Sequence, residues 1–300
     1  MDFTEYYERE KMPRFYGGGN GKKIGIRLDD GCYYMIKFPP EGKEGVISYT
    51  NSCISEYICC QIFESLGIEA QKTKLGEITV HGKQKVVVAC KDFNENNFRL
   101  VEFAMVKNGC FTSSQNGYGT ELRDVMEAIN EQTLLPPVEV EAYFWNMFIV
   151  DTLLGNFDRH NGNWGFLVDE KMGEVKLAPI YDCGSCLYPQ LSDQAIETVL
   201  GNVDEMNKRI FVFPNSALKI GGKKINMYEY LMNPPQECRN ALKNITSKID
   251  MEKILSIIMQ TPYISDIRKQ FYYTMIKLRH EKLLLPALKK AKKPEISLKL

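Results

Sequence analysis

The sequence predicts an α+β protein of two lobes, a small sheet-rich one over residues 1–93 and a larger, mainly helical one over residues 94–300. Three observations lead there. Apolar residues stand in short runs bounded by turn residues at 24–28, 32–38, 74–80 and 85–90, the first of these runs alternating with period 2, as strands do. From residue 120 onward they recur at three and four residues, the helical period. Between the two regimes, Lys91-Asp92-Phe93-Asn94-Glu95-Asn96-Asn97 is polar turn sequence and marks the boundary.

At 300 residues and 44% hydrophobic content the chain can bury a substantial core, and length suggests about one to three domains at ~150 residues each. Basic and acidic residues balance at 38 each and the pI is 6.8. No general charge therefore draws the chain to nucleic acid or membrane, and neither is expected as a partner. The charged N-terminus lacks the apolar run of a signal peptide. No apolar run approaches the ~18 residues of a spanning helix. Nine irregularly spaced cysteines fit a reducing compartment better than a disulfide framework. The expectation is a soluble, cytoplasmic protein.

Taken in order, residues 15–23 form a glycine-rich turn, in which Gly18, Gly19, Asn20 and Gly21 can bring backbone N–H groups close to phosphate. It is not a Walker A loop, since Lys23 stands where Ser or Thr is needed. A hairpin about Asp29-Asp30-Gly31 follows and ends at Lys37. Ile54, Ile58, Ile62, Phe63 and Leu66 then recur at helical spacing up to the stop at Gly67, and Glu56 lies on that helix. A strand lysine and a helix glutamate so placed pair over nucleotide phosphates in kinases. Residues 74–80 and 85–90 make a second hairpin, with His81 in its turn, and residues 107–119, rich in Gly, Ser and Asn, read as a loop. Helices are predicted at 120–132, 138–154, 250–259 and 265–285. The aromatic residues of 138–154 read as core, and the lysine-rich tail beyond 288 as a solvated end.

The helix at 138–154 delivers the chain to a loop that sets carboxylate, cation, imidazole and carboxamide groups between apolar runs. Asp158 and Asn163 are five apart, the Asp-x-x-x-x-Asn spacing of phosphoryl-transfer catalytic loops. There the Asp meets the attacking hydroxyl and the Asn oxygen binds Mg²⁺. Downstream, Asp182 precedes Gly184 by two, the Asp-x-Gly that completes a magnesium site. Arg159 and His160 could each stabilise charge on the transferring group or hold the loop; His160 is assigned to loop-holding and Arg159 stays open. Cys183-Gly184-Ser185-Cys186 competes as a cysteine-protease, thioredoxin or zinc signal. Leu187 replaces the aromatic residue that the protease string wants, and no second Cys-x-x-Cys completes a zinc site. The two cysteines therefore read as packing beside Asp182.

Asn156-Phe157-Asp158-Arg159-His160-Asn161-Gly162-Asn163-Trp164-Gly165-Phe166 resembles the Asn-x-Asp-x-His-x-x-Asn-x-Gly-Phe catalytic loop of HipA-like serine/threonine kinases. Ala178-Pro179-Ile180-Tyr181-Asp182 is similar to that family's Ala-Pro-x-Tyr-Asp segment, and the likeness spans roughly residues 15–285. The resemblance implies a two-lobed protein-kinase-like fold that uses ATP and Mg²⁺ and acts on a protein Ser or Thr hydroxyl. Lys37 would hold ATP phosphates with Glu56 on the adjacent helix. Asp158 would serve the hydroxyl, and Asn163 and Asp182 would hold the metal. Val88, Ala89, Cys90 and Lys91 match the inter-lobe hinge whose backbone receives adenine. The extra N-terminal subdomain of full-length members is missing from the match, which points to the short stand-alone form. The serine that can be autophosphorylated in the family's phosphate loop has no counterpart at 17–23. Members often act as toxins paired with a DNA-binding antitoxin, so an antitoxin-like partner is part of the expectation. The Asp-Arg-His-x-x-Asn string also resembles phosphoinositide kinases. Those use a basic segment toward the lipid headgroup, and residues 181–195 carry no Lys or Arg. Lipid kinase ranks second, and a nucleotide-binding module without transfer activity is the further alternative.

Overall fold

The computed structural model describes residues 1–9, 14–15, 22–40, 49–94, 97–111 and 115–291. The chain begins with helix α1 (Thr4–Arg9), strand β1 (Arg14–Phe15), the hairpin β2 (Lys23–Arg27) and β3 (Tyr33–Lys37), helix α2 (Ser52–Ser65), and the hairpin β4 (Thr73–Val80) and β5 (Lys83–Lys91). These strands form one antiparallel sheet in the order β1-β2-β3-β5-β4. Strand β5 shows the period-2 alternation: Val87 and Ala89 join Phe3, Ile24 and Ile36 in one core, while Val88 and Cys90 join the core on the α2 side. His81 at φ 51° and Gly82 at φ 71° make the tight β4–β5 turn.

A second set of elements follows: β6 (Phe98–Glu102), α3 (Phe103–Cys110), α4 (Leu122–Glu131), α5 (Pro137–Leu154), β7 (Gly165–Asp169), β8 (Glu174–Leu177), α6 (Asp193–Leu200) and α7 (Val203–Asn207). The hairpin β9 (Asn215–Ile220) and β10 (Lys223–Asn226) comes next, then α8 (Met227–Leu231), α9 (Gln236–Thr246), α10 (Met251–Gln260), α11 (Asp266–Arg279) and α12 (Leu285–Ala291). Strands β6, β7 and β8 form a small sheet. Helix α5 is the axis of the helical lobe: Phe144, Trp145, Phe148, Ile149 and Leu153 are buried, and Trp145 stacks on Tyr230 at 6.0 Å between ring centres. Each such side chain contributes ~1.5–3 kcal/mol by leaving water. That anchoring is what sets where the loop after α5 begins.

Three segments differ from the sequence reading. The expected loop over 107–119 is partly helix, since α3 runs to Cys110, and Lys107 is buried with its Nζ donating to Gly119 O at 2.6 Å. Strand β6 exists through its antiparallel pairing with β7, a long-range partner that composition does not reveal. The helix expected over 265–285 is interrupted by a π-turn at His280–Leu284. Pro286, two residues beyond, has no N–H for the carbonyl four residues back, and a widened turn absorbs that defect. Among the described residues no helix is long and apolar enough to cross a membrane.

Candidate active site

Helix α5 closes on Gly155, whose φ of 70° is the left-handed C-cap that favours glycine. One turn earlier lies Asp151, buried in an otherwise apolar stretch. Its Oδ1 accepts from Asn156 Nδ2 at 2.9 Å and from Arg159 Nη2 at 3.2 Å, and its Oδ2 accepts from Arg159 Nε at 2.9 Å. The buried Arg159 also donates Nη1 to the carbonyls of Asn163, at 2.8 Å, and Tyr181, and Nη2 to Cys183 Sγ at 3.3 Å. One guanidinium thus ties the end of α5 to both the loop and the segment carrying Asp182. Arg159 points inward.

With Arg159 drawn into the interior, its neighbour Asp158 presents its carboxylate to solvent. The Asp158 backbone is held by Asn156 Oδ1 accepting its N–H at 3.1 Å, and its carbonyl accepts from His160 N at 2.8 Å and Asn163 Nδ2 at 2.9 Å. With Nδ2 so committed, Oδ1 is the Asn163 atom left to accept or coordinate. The crowded loop desolvates the Asp158 carboxyl and pushes its pKa up, with His160 opposing. His160 Nδ1 accepts the Gly162 N–H at 3.1 Å, which supports the loop-holding assignment. Trp164, immediately before β7, stacks on Phe103 at 4.0 Å and fixes the far end of the loop.

Across the cleft, Lys37 Nζ donates to Asp182 Oδ1 at 3.0 Å and lies 3.1 Å from Glu56 Oε2, an ion pair outside hydrogen-bonding angles. Burial alone would push the Lys37 ammonium down, yet Asp182 and Glu56 hold it well above the ordinary lysine value. Lys37 in turn holds Asp182 down to about 2, while burial pushes the Glu56 carboxyl up. Asp182 sits at φ 56°, a left-handed backbone uncommon outside glycine, though aspartate adopts it more readily than most residues, and one that concentrates at functional sites.

The cleft between the sheet and this loop has a volume of about 730 Å³, a small-ligand size. Lys37, Glu56, Val88, Asp158, His160, Asn163 and Asp182 all line it, as do Lys22 and Lys23. Gly18, Gly19, Asn20 and Gly21 lie outside the described residues. Ala89 and Cys90 pair with β3 on one side and β4 on the other, and Lys91 donates its N–H to Lys72 O and accepts from Gln71 Nε2. Phe93 and Asn94, just beyond, line the cleft instead. Cys183 and Cys186 are buried free thiols, and among the described residues no group of three or more His, Cys, Asp or Glu is poised to hold a metal. Three contributors escape the sequence reading: Asp151, and Tyr118 with Glu102, whose hydroxyl–carboxylate bond of 2.7 Å sits on the cleft wall. Asp151 had a signal, a lone acid in an apolar helix. Tyr118 and Glu102 had none.

A sheet lysine paired with a helix glutamate, facing an Asp-x-x-x-x-Asn loop and an Asp-x-Gly, is the arrangement of a protein kinase. The sequence pattern of the HipA-like C-terminal domain matches residues 15–257. The serine/threonine-protein kinase CtkA of Helicobacter pylori strain J99 is 47% identical over 272 residues, covering 90% of this chain and 82% of that protein. The crystal structure of a Helicobacter pylori proinflammatory kinase CtkA superposes with a TM-score of 0.88 at 44% identity over 97% of each chain. HipA of Shewanella oneidensis MR-1, in complex with HipB and operator DNA, shares the fold with a TM-score of 0.55 at 15% identity, over 93% of this chain and 68% of that one. The chain belongs to the HipA-like C-terminal domain family. Its activity is that of a serine/threonine protein kinase.

Proposed function

We propose that the cleft transfers the γ-phosphoryl group of Mg·ATP, in line, to a Ser or Thr hydroxyl of a protein substrate. The observation that carries this reading is the convergence of Lys37, Glu56 and Asp182 with Asp158 and Asn163 around one cleft, from segments far apart in sequence. Asp158 orients the acceptor hydroxyl and takes its proton, the role of the exposed carboxylate in such a loop. Lys37 binds phosphate oxygens, and Glu56 keeps its ammonium aimed at the cleft. The glycine-rich sequence Gly18, Gly19, Asn20 and Gly21 is assigned to phosphate contact on its composition alone. Arg159 is a positioning residue that sets the Asp158 backbone against α5.

The donor set suits magnesium: a carboxamide oxygen of Asn163 and a carboxylate of Asp182 are hard oxygen ligands, and magnesium takes few of these beside water and phosphate. Held there, the ion would neutralise charge on the transferring group. Val88 forms cleft wall, and we place the backbone that meets the adenine edge at Phe93, whose N–H and C=O take no part in the ladder that occupies residues 88–91. We divide the lobes at residues 93 and 94, and the nine free thiols support a reducing compartment such as the cytoplasm. An antitoxin-like partner draws support only from the fold shared with the HipB-bound HipA.

The test is phosphate transfer from γ-labelled ATP to a generic protein and to phosphoinositide vesicles, with Mg²⁺ or EDTA. Label is expected on protein, lost with EDTA, and reduced ~10²–10⁴-fold by Asp158→Asn while ATP binding persists. Full activity of Asp158→Asn would refute the loop assignment, and label on lipid alone would establish the lipid kinase.

A further inference from the structure

The hairpin of β9 and β10 is set beside the catalytic loop by a short run of hydrogen bonds. Asn161 Nδ2, within the loop, donates to the carbonyls of Gly117 and Gly119 at 2.8 Å each. The next residue, Thr120, accepts the Lys219 N–H at 2.8 Å and donates Oγ1 to Ala217 O at 2.7 Å. A single peptide thus separates the anchor on the catalytic loop from β9. The other end of the hairpin is tied down where Asn226 Nδ2 donates to Phe211 O at 2.9 Å.

The register of this ribbon places Lys224 directly opposite Lys219. Residues so paired share a face, and like charges there repel and destabilise the ribbon. Among the described residues neither ammonium has an ion-pair partner. The nearby carboxylate, Glu121, accepts the tip N–H groups of Gly221, at 3.0 Å, and Gly222. Nucleotide phosphates do not account for these lysines, because the cleft wall has its own cations in Lys22, Lys23 and Lys37 and includes neither Lys219 nor Lys224. Lys224 does bear electrostatically on Asp158. Both groups are exposed, so an acceptor that reaches this carboxylate from solvent comes within the influence of the ammonium.

We infer that Lys219 and Lys224 form a docking site for acidic side chains flanking the acceptor Ser or Thr of the protein substrate. The inference rests on Asp158 being the residue at the acceptor hydroxyl. An acidic residue would relieve the cross-strand repulsion and position the hydroxyl, and exposed charge pairs of this kind are worth a few-fold each, about tenfold for two.

The experiment compares kcat/KM for three peptides with one serine flanked by Glu, Gln or Lys, using wild type and Lys219→Glu/Lys224→Glu. Wild type is expected to favour the Glu peptide about tenfold over Gln, an advantage that shrinks as salt is raised. The double variant is expected to favour the Lys peptide, with KM for ATP unchanged. That gain cannot arise from misfolding. Equal wild-type rates on the Glu and Gln peptides, or a variant that keeps the Glu preference, would overturn the docking site while leaving transfer intact. Duplex DNA binding that depends on the two lysines, without peptide discrimination, would overturn it in favour of a nucleic-acid contact. Wild type that labels neither peptide nor generic protein would overturn the Asp158 reading and this inference with it.

Discussion

Replacing Asp151 with leucine should do more harm than replacing Asp151 and Arg159 together. The side chains of Arg159 and Asp151 are only 5% and 2% exposed, and Nε and Nη2 bond the two carboxylate oxygens at 2.9 and 3.2 Å. Asp151→Leu strands a buried guanidinium, a loss of about 3–5 kcal/mol. At ~2–4 °C per kcal/mol for chains approaching this size, Tm should fall by roughly 6–20 °C. Arg159→Met in the same chain removes the stranded charge. Burial pushes the Asp151 carboxyl up even against Arg159, so the pair owes its presence more to geometry than to net stabilisation. The double variant should therefore recover a good part of the lost Tm, with a coupling energy of ~0.5–3 kcal/mol in the cycle. Neither variant should recover transfer, because Arg159 also holds the carbonyls of Asn163 and Tyr181, and an ångström of loop displacement costs ~10²-fold. Thermal unfolding followed by near-UV circular dichroism measures the first effect and labelled-ATP transfer the second. A single variant with wild-type Tm, or a double variant less stable than both singles, would refute the reasoning.

Two further outcomes follow from the site. A Cβ on Gly165 would lie 2.2 Å from Val101 O and 2.9 Å from Glu102 Cα, where β7 leaves the catalytic loop against β6. Gly165→Ala should destabilise by ~1–3 kcal/mol or more, measured by urea unfolding, and an unchanged midpoint would show that β6 can move aside. Asp182 has its carboxyl held at about 2 by Lys37, below the ordinary 3.8. A lowered folded-state pKa gives stability that is present above pH ~4 and lost as pH falls through about 2. Because the Asp182 side chain is 41% exposed, solvent screening limits this to about 1 kcal/mol. The stability gap between wild type and Asp182→Asn should narrow over that window in acid titration; a gap independent of pH would refute the Lys37 contact.

The sequence by itself determined what near neighbours can encode. Short apolar runs between turn residues located β2, β3, β4 and β5, and the recurrence of Ile54, Ile58 and Ile62 located α2, because both signals are local in the chain. The Asp158 and Asn163 spacing was legible because both act within one short loop, where the carboxamide of Asn163 bonds the carbonyl of Asp158. Tertiary structure alone decided the rest. Arg159 and Asp158 are adjacent and both polar, and only the buried Asp151 draws one inward and leaves the other facing the cleft. The backbone of Ala89 and Cys90 is taken up because β5 lies between β3 and β4, a register that no local pattern specifies. Lys37 read alone is a solvated strand end; folding brings it to Glu56 and to Asp182, 145 residues later. Backbone preferences act through neighbours in the chain, whereas charge pairing acts through space and exists only once folding has closed the intervening loops.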